Sequence, residues 1–163
     1  MRSKILFITN QFPALSETFI LDQVTGMSNA NFDVRVLAER CGEIPDNKKL
    51  EELKHRTATP SKNPFAFGCA VLKNLTPLIK SIATSKNNKG TTPGLLRLIL
   101  ATNQLQHWNP DVVFAHFGPN GIKALKLKKL GLITGKIYVF IHGYDATSYI
   151  QQNGSGVYQD LFD

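Results

Sequence analysis

Lys4-Ile5-Leu6-Phe7-Ile8 runs straight into Thr9-Asn10-Gln11-Phe12-Pro13, and the same change of character recurs twice further along the chain. Asp111-Val112-Val113-Phe114 passes into Ala115-His116-Phe117-Gly118-Pro119-Asn120-Gly121, and Lys136-Ile137-Tyr138-Val139-Phe140-Ile141 passes into His142-Gly143-Tyr144-Asp145. Short apolar runs rich in Val, Ile and aromatics, bounded by turn residues, read as strands of a parallel sheet buried on both faces. In an open α/β sheet, ligands bind at the carboxyl ends of the strands. The pattern therefore predicts that Asn10, His116, His142 and Asp145, far apart in sequence, share one rim.

Working outward, a helix is expected between the first run and Phe32-Asp33-Val34-Arg35-Val36-Leu37-Ala38, which alternates as a second strand. Ser16 suits its N-cap and Glu17 its first turn. Phe19, Ile20, Val24 and Met27 supply an apolar side at helical spacing. The result is a βαβ unit whose right-handed crossover makes its strands parallel. Residues 46–54 read as a short helix, and 55–59 as a weak strand ended by Pro60. Helical segments are expected over 64–85 and 94–108, separated by the loop 86–93. Pro77 should kink or divide the first of them. A further helix starts near Pro119 or Asn120 and ends at Gly131, which suits a C′ position. The fold class is α/β: a Rossmann-like, mostly parallel sheet flanked by helices.

At 163 residues the chain is one domain with a real core, and its 42% hydrophobic and 19% charged content fits a globular protein. No apolar run approaches the roughly 18 to 20 residues needed to span a bilayer. The apolar start stops after Ile8 with no cleavage-site pattern, so a signal peptide is not expected. Cys41 and Cys69 suggest neither a disulfide framework nor a zinc site, which favours a reducing cytoplasmic location. The net charge of +7 is uneven, because residues 61–110 carry Lys62, Lys73, Lys80, Lys86, Lys89 and Arg97 and no acid. Such a stretch can face an anionic membrane, peripherally on the inner face of the cell membrane. For the apolar side of the 64–85 helix, packing on the core is the expected fate, leaving a basic edge available to lipid.

Several chemistries are excluded. The turn from Thr9 to Ser16 contains no glycine, so a dinucleotide fingerprint is missing, as are a P-loop, a nucleophile elbow and a zinc-protease helix. No carboxylate or histidine cluster has metal-ligand spacing, and no metal or cofactor is expected. What remains is a pair of helix starts suited to an anion, one at Gly118 and Gly121 after His116, the other at Ser16 and Thr18. Glycines there would let backbone approach a ligand closely. His142-Gly143-Tyr144-Asp145 sets three polar functions in four residues, and histidine can hydrogen-bond hydroxyls or move protons near neutral pH. His55 and His107 lack comparable surroundings and read as surface or structural residues.

Phe12-Pro13-Ala14-Leu15-Ser16-Glu17-Thr18-Phe19-Ile20 resembles the opening motif of a bacterial subset of family 4 glycosyltransferases, the colanic acid and other exopolysaccharide enzymes. Ala115-His116-Phe117-Gly118 and Phe140-Ile141-His142-Gly143-Tyr144-Asp145 resemble its next two motifs, and Asn153-Gly154-Ser155-Gly156-Val157-Tyr158 the segment that follows. The resemblance implies the GT-B architecture of two facing Rossmann-like domains, with residues 1–163 forming a truncated acceptor-side N-terminal domain. The C-terminal donor-binding domain would be absent, and the isolated chain inactive. The full enzyme would be a retaining transferase. It would move sugar from a nucleotide-sugar donor, a substrate rather than a cofactor, to a polysaccharide or lipid-linked acceptor. His142 and Asp145 would be catalytic; Asn10, Ser16, Thr18, His116, Gly118, Gly121, Gly143 and Tyr144 would contact acceptor or donor. The segment Phe12-Pro13-Ala14-Leu15-Ser16 replaces the usual glycine-rich first loop, which weakens the case for donor-phosphate contact there. A pattern beginning at Tyr158 and breaking off after Phe162 also reads as a cut chain.

The alternative from another class is a non-catalytic basic module binding an anionic surface or polymer through residues 61–110. Nucleic acid is disfavoured as its partner, because Phe65 and Phe67 fall in a helix and not on a stacking platform.

Overall fold

A computed structural model of the chain describes residues 2–42, 53, 55–84 and 92–162. Strand β1 (Lys4–Phe12), a 3-10 turn (Leu15–Glu17), helix α1 (Thr18–Asn29) and β2 (Asp33–Cys41) form the expected βαβ unit. Strand β3 (Thr57–Ala58) and helices α2 (Pro64–Lys73), α3 (Leu75–Thr84) and α4 (Thr92–Ala101) follow. Then come β4 (Val112–His116), α5 (Gly118–Lys129), β5 (Lys136–Phe140) and the short helices α6 (Gly143–Ala146) and α7 (Ser148–Asn153). The strands lie in the order β3-β2-β1-β4-β5, and every neighbouring pair is parallel. Among the described residues the sheet is thus wholly parallel and Rossmann-like.

The centre of the sheet explains the apolar runs. On β1, Ile5 and Phe7 pack with Ile20 and Val24 of α1, while Leu6 and Ile8 pack with Leu98 and Ile99 of α4 and Leu127 of α5. Successive side chains on a strand point to opposite faces, so a strand covered on both faces must be apolar at every position. Full burial of each such side chain contributes about 1.5–3 kcal/mol.

The boundaries differ from expectation in instructive ways. β1 continues to Phe12, because Gln11 and Phe12 still pair with Arg40 and Cys41 of β2. Ser16 is exposed and caps nothing; the 3-10 turn comes first and Glu17 takes the N-cap position of α1. The expected 64–85 helix does divide, but at Asn74, ahead of Pro77. Proline lacks the N–H that would bond one turn back, so the preceding turn is where the helix parts. Asn74 is buried there, with Nδ2 donating to the Ala70 carbonyl at 3.0 Å. The next helix starts earlier than expected and gives way to a 3-10 turn (Thr102–Leu105). Gly131 has φ 73° just past the end of α5, the left-handed conformation a C′ glycine supplies. The expected 46–54 helix and 86–93 loop fall largely outside the described residues.

Gly121 departs from its expected role. It is buried, and a Cβ added there would lie 2.7 Å from both methyl carbons of Val139. The glycine lets α5 sit close on β5, and its N–H donates to the Phe117 carbonyl at 3.1 Å. Gly121→Ala is expected to destabilise the fold by roughly 1–3 kcal/mol through overpacking. Urea denaturation checks this, and an unchanged midpoint would show that α5 can lift off β5 at no cost.

Candidate functional site

The chain passes from β1 outward to β2 and β3, then returns to place β4 on the other side of β1. That reversal makes the carboxyl ends of β1 and β4 the switch point of the sheet, the place where open α/β sheets bind ligands. Asn10 lies near the end of β1, His116 closes β4, and His142 follows β5. The structure brings the two histidines into contact. A separate cavity of about 780 Å³, lined by Ser3, Lys4, Asp33, Arg56 and Asp111, lies at the amino ends of the strands, remote from these groups.

His116 is only 1% exposed. Its ring is stacked on Phe140, with centroids 4.8 Å apart and planes at 11°. Nε2 lies 3.0 Å from Oε1 of Gln23, and Nδ1 lies 3.3 Å from Nε2 of His142. Burial, and secondarily the nearby charge of His142, lowers the His116 pKa to about 4. The ring is therefore neutral at neutral pH. The tautomer with its proton on Nε2 donates to Oε1 of Gln23 and leaves Nδ1 to accept from Nε2 of His142. One ring thereby orients the other. His142 is half-buried, held between Phe19 and Phe117 with ring centroids at 5.0 and 4.6 Å. Phe117 precedes α5 at φ 72°, an unusual angle for a side chain of its bulk.

Asp145, expected as a catalytic residue, is fully buried. Oδ2 accepts from the Gly118 backbone N–H and Oδ1 from the His142 N–H, each at 2.6 Å. The carboxylate thus ties the start of α5 to the loop after β5. Gly118 in turn lies against Tyr158, where a Cβ would come 2.4 Å from the ring. The Tyr158 hydroxyl, its pKa raised mainly by burial, donates to the Asp145 carbonyl at 3.0 Å. The free N–H at the helix start that was expected to meet an anion is therefore already occupied at Gly118. Gly143 has open space at its Cβ position, and Tyr144 is 55% exposed. Ser16 and Thr18 are exposed at the entry to α1.

Two groups escaped the sequence reading. Lys123 is 6% exposed, and its ammonium donates to Asn10 Oδ1 at 2.8 Å, Glu39 Oε1 at 2.5 Å and Asn120 Oδ1 at 2.9 Å. Three N–H groups meet three acceptors, so the charge is fully satisfied. It fixes the Asn10 side chain from behind and links the carboxyl ends of β1 and β2 to α5. In sequence Lys123 looks like one more lysine of a basic helix; only packing turns it inward. A lysine among apolar neighbours on the buried side (Ile122, Ala124, Leu127) was the available signal. Glu17 is the second group. Oε2 lies 3.5 Å from Thr9 Oγ1, and burial raises its pKa against the opposing effects of Thr9 and the His142 charge. Read as a helix-dipole residue, it stands at the rim with the histidines. Among the described residues, no group of three or more His, Cys, Asp or Glu side chains is placed to hold a metal.

No family profile matches the chain, and no solved structure matches it. Curated relatives do. WcaL of Escherichia coli K12, assigned by its name to colanic acid biosynthesis as a glycosyltransferase, is 30% identical over 98% of this chain. The Salmonella typhimurium protein of the same name is 30% identical over 98%. AmsK of Erwinia amylovora, named an amylovoran biosynthesis glycosyltransferase, is 31% identical over 87%. The chain is a homologue of these glycosyltransferases. It spans 42% of the length of either WcaL protein and 38% of AmsK.

Two measurements probe the rim. Lys123→Met removes the nearer of the two cations beside the largely buried Glu39 carboxylate, leaving Arg97 at 4.0 Å, and is expected to cost up to about 3 kcal/mol in chemical denaturation. The double variant with Glu39→Gln should recover part of that loss, and no recovery would mean that packing, not charge, is what Lys123 supplies. For His116, the folded pKa lies below the ordinary 6.5, so the unfolded chain binds more protons between the two values. This contribution to stability is complete above pH 6.5 and is lost as pH falls toward 4. Thermal melts from about pH 7.5 down to about pH 4.5 should show a steeper loss in the parent than in His116→Gln. Parallel curves would remove His116 as the cause.

Proposed function

We propose that this chain is the acceptor-side, N-terminal part of a retaining GT-B glycosyltransferase of family 4 that acts in exopolysaccharide assembly. The observation that carries the reading is the meeting of His116 and His142 at the sheet's switch point, in a chain whose homologues are named glycosyltransferases. The donor would be a nucleotide-sugar and the acceptor a growing glycan or a lipid-linked sugar. The donor-binding domain would be a further part of the same protein.

In this reading His142 faces the reacting sugar from the rim. His116 is neutral and buried, so it sets the direction of the His142 ring and keeps a proton on its Nε2. Asp145 acts through the backbone it holds and not by touching sugar, since it is fully buried. Asn10, clamped through Oδ1 by Lys123, keeps its Nδ2 for a hydroxyl oxygen. Glu17, Ser16 and Thr18 line the β1 side, and Gly143 and Tyr144 the β5 side. Stabilisation of the departing nucleotide phosphate is a large part of such catalysis, and in this proposal it belongs to the donor domain.

The isolated chain is accordingly expected to give no sugar transfer and no sugar-nucleotide hydrolysis. Robust turnover by the purified 163 residues, abolished by His142→Ala, would overturn the division of labour. With the chain grafted in place of the matching segment of E. coli WcaL, His142→Ala should lower kcat by roughly 100-fold or more, the scale of proton-transfer or hydrogen-bond catalysis. His107→Ala should leave kcat and KM near the parent values. Steady-state kinetics with parallel melts decide it: if the His142→Ala loss merely tracks unfolding, His142 has no part in the chemistry.

A further inference from the structure

Behind the His116–His142 pair stands Gln23, a half-buried residue of α1. It lies one turn after Phe19, and residues spaced i and i+4 share a helical face. Phe19 meets both rings, with centroids 5.5 Å from His116 and 5.0 Å from His142. Gln23 continues that face, and its Oε1 lies 3.0 Å from Nε2 of His116. The neighbouring Ile20 and Val24 turn to the apolar core instead.

The His116 ring has little freedom of its own. It stacks on Phe140 with centroids 4.8 Å apart, and lies near-parallel to Phe7, with planes at 7° and centroids 6.0 Å apart. The Asn120 side-chain amide donates to the His116 carbonyl at 2.8 Å and fixes the backbone behind the ring. Burial lowers the His116 pKa to about 4, so the ring holds one proton at neutral pH. What such a ring can still change is the nitrogen on which that proton sits.

A neutral imidazole donates from one nitrogen and accepts at the other, so the partner of one nitrogen decides the state of both. The line from Gln23 through His116 to His142 therefore has two polarities. When Gln23 presents its oxygen, the His116 proton sits on Nε2 and Nδ1 is a lone pair. The nitrogen facing that lone pair at 3.3 Å, Nε2 of His142, then carries the next proton. A donor in place of the Gln23 oxygen would move the proton of each ring to its other nitrogen. The amide sets the polarity without adding a charge, which suits a ring kept neutral by burial.

We propose that Gln23 is a positioning residue of the rim: acting through His116, it holds the His142 proton on Nε2 and leaves Nδ1 of His142 a lone pair. The placement of the protons follows from these contacts, and its consequence for turnover rests on the transferase reading. Gln23 lies behind both rings, so it acts on the rim without facing the substrate.

Two substitutions separate the polarities. Gln23→Lys offers only donors, and Gln23→Met keeps the length but offers no more than a weak acceptor. The measurement is long-range proton–nitrogen correlation of the histidine rings in the full 163-residue chain at neutral pH, where the two tautomers give distinct patterns. Spectra of His116→Gln and His142→Gln assign these rings among the four histidines. The parent should show both rings protonated on Nε2. Gln23→Lys should move both protons to Nδ1, and Gln23→Met should give a mixture of the two forms. A Gln23 that only fills space would leave the His142 pattern unchanged. His142 protonated on Nε2 in both variants, or on Nδ1 in the parent, would overturn the inference. Melts establish folding; if the lysine variant does not fold, the methionine variant decides by the same spectra. With the chain grafted into E. coli WcaL, Gln23→Lys should lower kcat roughly tenfold or more while KM changes little, the scale of loss when a residue that orients a functional histidine is replaced. Reversed ring protons with unchanged kcat would overturn the part given to His142 in the chemistry, and not the hold of Gln23 on the rings.

Discussion

Burial of β1 on both faces is the constraint from which the rest follows. Its side chains serve two separate apolar clusters, one under α1 and the other under α4 and α5. A strand so placed can carry polar groups only where it leaves the layers, at its carboxyl end. The change from Ile8 to Thr9 and Asn10 marks the approach to that end, although Thr9 is still buried and β1 pairs with β2 as far as Phe12. Because β4 and β5 run parallel to β1, they release their polar groups at the same edge. Parallel pairing thus converts three separate sequence segments into one rim.

The rim is held by satisfied polar groups and not by apolar packing alone. Asp145 accepts two backbone N–H bonds, Lys123 makes three, and His116 uses both ring nitrogens. Unpaired, each buried group would carry a desolvation cost; paired, they fix orientation. In front of these groups stand Asn10, Glu17, the half-buried His142 and the exposed residues at the start of α1 and α6.

The outer side of the molecule obeys a different balance. Helices α2 and α3 give the core only one of their apolar sides. Exposing the other costs free energy in water unless a surface covers it. The division of this segment at Asn74, forced by Pro77, yields two short helices in place of one long rod. Two short helices present a broader face than a single narrow stripe.

The sequence by itself determined the α/β class, the parallel strands and the shared edge, because strand burial leaves a local apolar signature and turn residues end it. It also fixed the C′ role of Gly131, a matter of local backbone angle. Tertiary structure decided which way side chains turned. Lys123 reads as a solvated lysine until α5 packs against β1 and β2. Asp145 reads as an accessible catalytic carboxylate until the α5 start and the loop after β5 close over it. Gly121 reads as a ligand-side glycine until Val139 appears beneath it. Each depends on contacts between segments distant along the chain, and no local pattern encodes the distance between two elements that meet only after folding.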